Sequence, residues 1–210
     1  VSDLNIEGLS DVSGSTFRGK LLKIKDPSRV TLGISGQYGD AYEGRLVKDM
    51  ASEHSAFAAI NAGGFADLNG VGNGGTPLGI VIAQGKLLWG DLNETTDVVG
   101  FDKDNRLRAG SMTGKQAMDL GLRDAVSCSP LLISDGKAVE QDASLSNSPN
   151  PRTAIGQRKD GCILMLVIDG RQVHSFGATY SDVQSIMLEY GAVNAANIDG
   201  GSSSAMFFMR

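Results

Sequence analysis

The chain is poor in the residues on which common active sites are built. Its 210 residues include 2 cysteines, 2 histidines and 1 tryptophan. It has no H-E-x-x-H pair, Walker A loop or G-x-S-x-G elbow. These gaps move His-rich zinc enzymes, P-loop NTPases and α/β-hydrolases out of first place. Long apolar runs are also missing. The longest strictly apolar stretch is Cys162 to Ile168, far short of the roughly 18 residues a membrane-spanning helix needs. Nor is there a basic excess. Lys and Arg total 19 against 24 Asp and Glu, a net charge of −5, so no broad attraction to nucleic acid is expected. No signal peptide opens the chain, and Val1 stands where a Met would start it. An upstream tag, leader or anchor is therefore expected. Cys128 and Cys162 form no C-x-x-C pair, sit in apolar strand-like stretches, and read as buried thiols rather than a disulfide.

Glycine is plentiful, at 28 residues, and the chain is 41% hydrophobic and 20% charged. That composition fits a globular domain able to bury a sizeable core, and one domain over 1–210 suffices. The glycines fall between short apolar runs. Gln84-Gly85, Asp135-Gly136 and Asp160-Gly161 each separate two such runs, as turn residues of β-hairpins do. Asp102-Lys-Asp-Asn105 reads as another hairpin turn, since it lacks the Gly and distal Glu of a calcium loop. Asn147 to Pro151 reads as a Pro-rich loop. Helices are predicted over about 46–54, 113–120 and 182–190. In the last, Val183, Ile186, Met187 and Tyr190 share one face, Ser181 with Gln184 suits a capping box, and Gly191 suits a stop. His54 falls on the apolar side of the first helix and is expected to be a core histidine. The fold class is α+β: a mixed, largely antiparallel sheet with a few packed helices in a single domain.

Polar clusters end several apolar strands, where a rigid backbone can hold them toward a cleft. Phe57–Ile60 leads into Asn61, Gly63 and Gly64. Arg152 and Thr153 stand at the mouth of a strand, and a Pro-anchored Arg suits an oxyanion or phosphate. Ala195–Ile198 leads into Asp199, Gly200, Gly201, Ser202 and Ser203, where exposed amides and hydroxyls surround one carboxylate as in an anion-binding nest. Leu166–Ile168 leads into Asp169-Gly170-Arg171, for which a hairpin turn and a site both stand open.

At these same positions the chain resembles the phosphodiester glycosidase family. The shared motifs run in order through Ile60-Asn-Ala-Gly-Gly-Phe65, Gly75-Thr-Pro-Leu-Gly79, Ser129-Pro-Leu-Leu-Ile133, Pro151-Arg-Thr-Ala-Ile-Gly156, Val167-Ile-Asp-Gly-Arg171 and Asn197-Ile-Asp-Gly-Gly-Ser-Ser203. They span about Ala56 to Met206. Where many relatives have a third glycine this chain has Ser202, which narrows the nest. The resemblance implies a hydrolase that cleaves the glycosidic C–O bond of a sugar 1-phosphodiester in a cell-surface or extracellular glycan. It also implies an exported bacterial protein, secreted or membrane-anchored through a missing N-terminal segment, in exopolysaccharide or cell-wall metabolism. No cofactor or metal is implied.

The expected roles follow from that chemistry. Arg152 and the amides of Gly200–Ser203 stabilise the departing phosphate. Asp199, or in second place Asp169, activates water or stabilises the oxocarbenium-like centre. Asn61, Thr153 and Ser203 orient sugar hydroxyls or phosphate oxygens, with Gly63 and Gly64 beside them. A non-catalytic glycan-binding module is the alternative reading, and a metal-dependent P–O phosphodiesterase the third. Relatives continue beyond the position of Arg210, so 205–209 is expected to be a central strand flanked on both sides, with 17–24 and 30–34 as suppliers.

Overall fold

Alternation along paired strands stacks this protein in layers, and a computed structural model describes residues 6–67, 72–142 and 148–209. In chain order the strands are β1 (Ile6–Ser13), β2 (Arg18–Ile24), β3 (Ala58–Ile60), β4 (Val81–Ala83), β5 (Lys86–Trp89), β6 (Thr95–Phe101) and β7 (Leu107–Thr113). They continue with β8 (Asp124–Ser127), β9 (Leu131–Ser134), β10 (Lys137–Ala138), β11 (Arg152–Arg158), β12 (Ile163–Ile168), β13 (Ala192–Gly200) and β14 (Met206–Phe208). The helices are α1 (Val47–Glu53), α2 (Gly114–Asp119) and α3 (Tyr180–Glu189). Seven strands form one sheet in the order β1-β2-β12-β11-β13-β9-β10, and five form another in the order β5-β4-β8-β6-β7. Every registered pair among the described residues is antiparallel.

Period-two patterning assigns each strand residue to a core. Leu21, Ala154, Leu164, Leu166, Ile168 and Ala195 face α3 and meet Val183, Ile186 and Met187. Their neighbours Leu22, Ile155, Ile163, Met165 and Ala196 face the five-stranded sheet and meet Val99, Phe101 and Val126. On the far side of that sheet Ile80, Ile82, Val98 and Ala125 pack with Ala117 of α2. The layer order is therefore α3, large sheet, small sheet, α2. No helix among the described residues is long and apolar enough to cross a membrane.

The hairpin turns fall where their glycines predict. Gln84 and Gly85 have φ of 51° and 73°, and Asp135 and Gly136 of 48° and 78°, the double left-handed pattern of a two-residue hairpin. Neither cysteine is in a disulfide; Cys162 is buried and Cys128 half-buried. Several local expectations are corrected. The α3 cap is Thr179, whose hydroxyl accepts from Asp182 N–H while the Asp182 carboxylate accepts from Thr179 N–H; the helix thus begins earlier than the Ser181 box implied. His54 caps the C-terminus of α1 and is exposed, because a seven-residue helix ends before it can cover that position. Of residues 17–24, Arg18–Ile24 form strand β2 of the large sheet, but 30–34 form none. β14 is not central: it pairs with β3 alone in a two-stranded sheet, Phe207 opposite Ala59. Its cover comes from packing, with Phe208 edge-to-face on Phe57 at 5.0 Å. Of the Pro-rich loop, Asn147 lies outside the described residues.

Candidate active site

Antiparallel pairing gathers the polar clusters at one end of the large sheet. β11 runs opposite to both β12 and β13, so its first residues lie beside their last. Arg152 pairs with Ile168 on one side and Gly200 on the other, and Thr153 pairs with Asp199. A register shift lies between Thr153 and Ala154: Ala154 faces Asn197, Thr153 faces Asp199, and Ile198 is the extra residue. Such a bulge re-aims the side chains beyond it. Here it brings Asp199, not Ile198, opposite Thr153.

Asn61, at the end of β3, joins these residues. The Thr153 hydroxyl donates to Asn61 Oδ1 at 2.7 Å, and Ala205 N–H donates to the same oxygen at 3.0 Å. With Oδ1 so used, the amide presents its Nδ2 to Asp199, donating to Oδ2 at 3.1 Å. The other carboxylate oxygen accepts from Gly200 N–H at 2.7 Å. Burial nonetheless pushes the Asp199 carboxyl above the ordinary carboxylate range, against the lowering effect of bonds from Gly200, Asn61 and Ser203. A carboxylate so placed can take a proton from water more readily than an exposed one.

Arg152 is 5% exposed. Its Nε donates to Ala178 O and its Nη2 to Ser148 O, each at 3.0 Å, and its guanidinium lies 3.8 Å from the centre of the Tyr180 ring. Burial lowers its pKa, the Tyr180 contact opposes this, and the charge of Arg171 adds to the lowering.

Asp199 and Arg152 open to one cleft of about 410 Å³, together with Gly64, Gly200 and Gly201. The remaining expected residues lie around it. Asn61, Gly63, Ser202 and Ser203 line an adjoining, larger cavity of about 770 Å³ that also reaches Asp199 and Gly64. Thr153 is fully buried, and its hydroxyl is spent on Asn61. Asp169 is exposed at the end of β12 and lines neither cavity. Within the nest the amides are partly committed: Gly200 N–H serves Asp199, and Gly201 N–H donates to Pro151 O at 3.1 Å.

The cleft is also lined by residues to which the sequence assigns no catalytic or binding role: Cys128, Ser129, Asn150, Arg171, Tyr180 and Asn197. Arg171 carried a signal, since it follows an apolar strand in one of the polar clusters. Tyr180 carried none, because its role depends on where α3 begins. Burial and the nearby Asp97 push the Cys128 thiol well above its usual range, so it is no ready nucleophile. No group of three or more His, Cys, Asp or Glu among the described residues is arranged to hold a metal ion.

A sandwich of antiparallel sheets that ends its strands in a buried Arg, a desolvated Asp and a glycine turn has counterparts among known proteins. The sequence profile of the phosphodiester glycosidases matches residues 54–209, and the chain belongs to that family. It is 27% identical over 219 residues to YomE, an uncharacterised SPbeta prophage-derived protein of Bacillus subtilis, covering 97% of this chain and 31% of that protein. It is 24% identical over 216 residues to mouse N-acetylglucosamine-1-phosphodiester alpha-N-acetylglucosaminidase, covering 93% of this chain and 41% of the enzyme. The chain thus spans well under half the length of either relative. The catalytic domain of the zebrafish enzyme of the same name, auto-inhibited by its pro-peptide, has the same fold, with a TM-score of 0.77 at 24% identity over 97% of this chain and 72% of that one.

Proposed function

We propose that this chain hydrolyses the glycosidic C–O bond of a sugar 1-phosphodiester, releasing free sugar and a phosphomonoester. The observation that carries the reading is the opening of the Asp199 carboxylate and the Arg152 guanidinium into one cleft. Membership of the phosphodiester glycosidases and the likeness to the mouse enzyme support it.

The leaving group makes the chemistry light. A phosphomonoester has a second pKa near ~6, so it departs without the protonated carboxylic acid that an alkoxide leaving group demands. What is needed is a base and a fixed positive charge. Asp199 takes a proton from the attacking water while the water oxygen bonds to C1. The C1–O bond breaks, and its electron pair stays on the phosphate oxygen. Arg152 supplies a positive potential that needs no reorganisation, because carbonyls and the Tyr180 ring hold it. Asn61 orients Asp199, and buried Thr153 orients Asn61. Gly200 and Gly201 keep the floor of the cleft open, and Gly63, Gly64, Ser202 and Ser203 border the sugar or aglycone. Asp169, outside the cleft, has no part in this arrangement. The natural substrate in this reading is a cell-surface or extracellular glycan met by an exported protein.

The test is product analysis in ¹⁸O-labelled water with diesters of N-acetylglucosamine 1-phosphate. Label in the sugar hydroxyl supports C–O cleavage. Label in the phosphate, with activity lost to chelator, identifies a metal-dependent phosphodiesterase instead. Binding without turnover identifies a glycan-binding module.

A further inference from the structure

The cleft holds a second guanidinium that this mechanism has not used. Arg171 has φ of 57°, a left-handed conformation disfavoured for any residue with a Cβ. The turn around it is pinned from several sides. Arg171 N–H donates to Phe176 O at 3.1 Å, the buried Ser175 hydroxyl to Asp169 O at 2.6 Å, and Arg18 N–H to Ser175 Oγ at 2.9 Å. A disfavoured backbone persists only where its surroundings over-determine it, and such residues cluster at functional sites. Here it accompanies a side chain on the wall of the cleft.

Two cationic tips converge on the glycine turn. Arg152 Nη1 is 3.9 Å from the position a Cβ would take on Gly200, and Arg171 Nη2 is 3.6 Å from that on Gly201. Among the described residues no carboxylate forms an ion pair with either arginine. Like charges that converge with neither ion-paired to an acid define a place for an anion.

The two arginines differ in what they have left to give. Arg152 is buried with two donors spent on carbonyls. Arg171 is exposed and bonds through Nη2 to Asn150 Oδ1 at 3.2 Å, which aims the fork and leaves its other N–H groups for a ligand. The nest amides of Gly200 and Gly201 are engaged within the protein, so side chains must do most of the gripping.

We propose that Arg171 is a further catalytic residue: it grips the phosphoryl group directly, Arg152 stands behind it as fixed charge, and the pair is matched to a dianionic phosphate. The proposal rests on the sugar-phosphodiester reading. A diester carries one negative charge. Breaking C1–O leaves the bond's electron pair on the bridging oxygen, so the departing monoester gains a second. Two cations therefore hold the transition state more strongly than the bound substrate, which raises kcat more than it lowers KM.

The test compares wild type, Arg171→Gln, Arg171→Lys and Asn150→Ala in hydrolysis of N-acetylglucosamine 1-phosphate diesters and in calorimetric binding of inorganic phosphate. Arg171→Gln is expected to lower kcat about 10²-fold with little change in KM, the size of a lost oxyanion donor, and to weaken phosphate binding at least about tenfold. Arg171→Lys restores little, since a point charge cannot replace the fork, and Asn150→Ala, which unaims the fork and also removes the Asn150 amide bonds to Ser148, falls between. If wild type turns over the diesters and Arg171→Gln matches it in kcat and in phosphate binding, the Arg171 assignment is overturned and the hydrolase reading stands. If phosphate binding depends on Arg171 but no diester is hydrolysed, the hydrolase reading falls, and the catalytic role of Arg171 falls with it.

Discussion

The side-chain amide of Asn61 donates to the Asp199 carboxylate at 3.1 Å across 138 positions of sequence. Its orientation is not free, because Thr153 and Ala205 both donate to its oxygen. Asn61→Ala is therefore expected to leave the fold intact while letting Asp199 swing. A misplacement of about 1 Å in a reacting group costs about 10² in rate. Thr153→Val, which keeps shape and removes the hydroxyl, should cost about 1 kcal/mol of stability and a smaller share of activity. Thermal melts and steady-state kinetics on both variants check this. An Asn61→Ala protein with wild-type kcat would show that Asp199 needs no such support.

Asp199 is costly to the fold at neutral pH. Burial raises its carboxyl in the native state, so as pH climbs past the ordinary carboxylate range the unfolded chain ionises first and native stability declines. Below that range both states are neutral and the penalty is absent. Asp199→Asn should accordingly raise Tm at pH 7, with the advantage shrinking toward pH 3. The same change should reduce turnover by about 10²–10⁴-fold, the share of a general base. Melting curves across pH beside activity assays would reveal a merely structural Asp199 as a variant that loses stability and keeps its rate.

Asp102 has the opposite sign. Its burial acts to raise the carboxyl, but Arg106 N–H, the Arg108 guanidinium and Asp104 N–H together hold it below the ordinary range. The bonds are 3.0, 2.9 and 2.9 Å long, and they tie the β6–β7 hairpin. This stability is present above the ordinary carboxylate range and is lost as pH falls through the native value. Asp102→Asn should cost about 1–3 kcal/mol at pH 7, and the gap to wild type should narrow in acid. Urea titrations at pH 7 and pH 3 measure it, with no effect expected on substrate turnover.

Gly201 separates backbone from cleft. Its φ is 63°, which costs a residue with a Cβ roughly 1–2 kcal/mol. Its missing side chain also leaves room 3.6 Å from the Arg171 tip. Gly201→Ala should lower both Tm and kcat/KM. Gly201→Asn, which tolerates the left-handed region, should recover stability without recovering activity. Recovery of both by Asn would mean that only the backbone matters there.

Much of the molecule was legible from local pattern alone. Gln84-Gly85 and Asp135-Gly136 prescribe tight turns because glycine, with or without a tolerant neighbour, reaches positive φ. The α3 face of Val183, Ile186 and Met187 is buried as its period requires, and Leu21 and Leu22 divide between two cores because successive strand side chains point oppositely. The six motif segments likewise marked the family and the loops that hold Arg152 and Asp199. These features depend on a few consecutive residues, so the sequence by itself determined them.

Other features needed the partner strand or the packed neighbour. Strand β1 escaped notice because an edge strand with one polar-leaning face carries little periodic signal. Two caps competed for α3, and the extended backbone held by the Ala178–Asn150 bridge decided for Thr179. The bulge at Ile198 exists only because β13 must pair with β11, and without it a different side chain would face Thr153. Asp169 and Arg171 sit two residues apart, yet one points to solvent and the other lines the cleft. The sequence determined which residues stand at the strand ends; only tertiary structure decided which share a cleft, because register and left-handed turns are fixed by contacts far away in the chain.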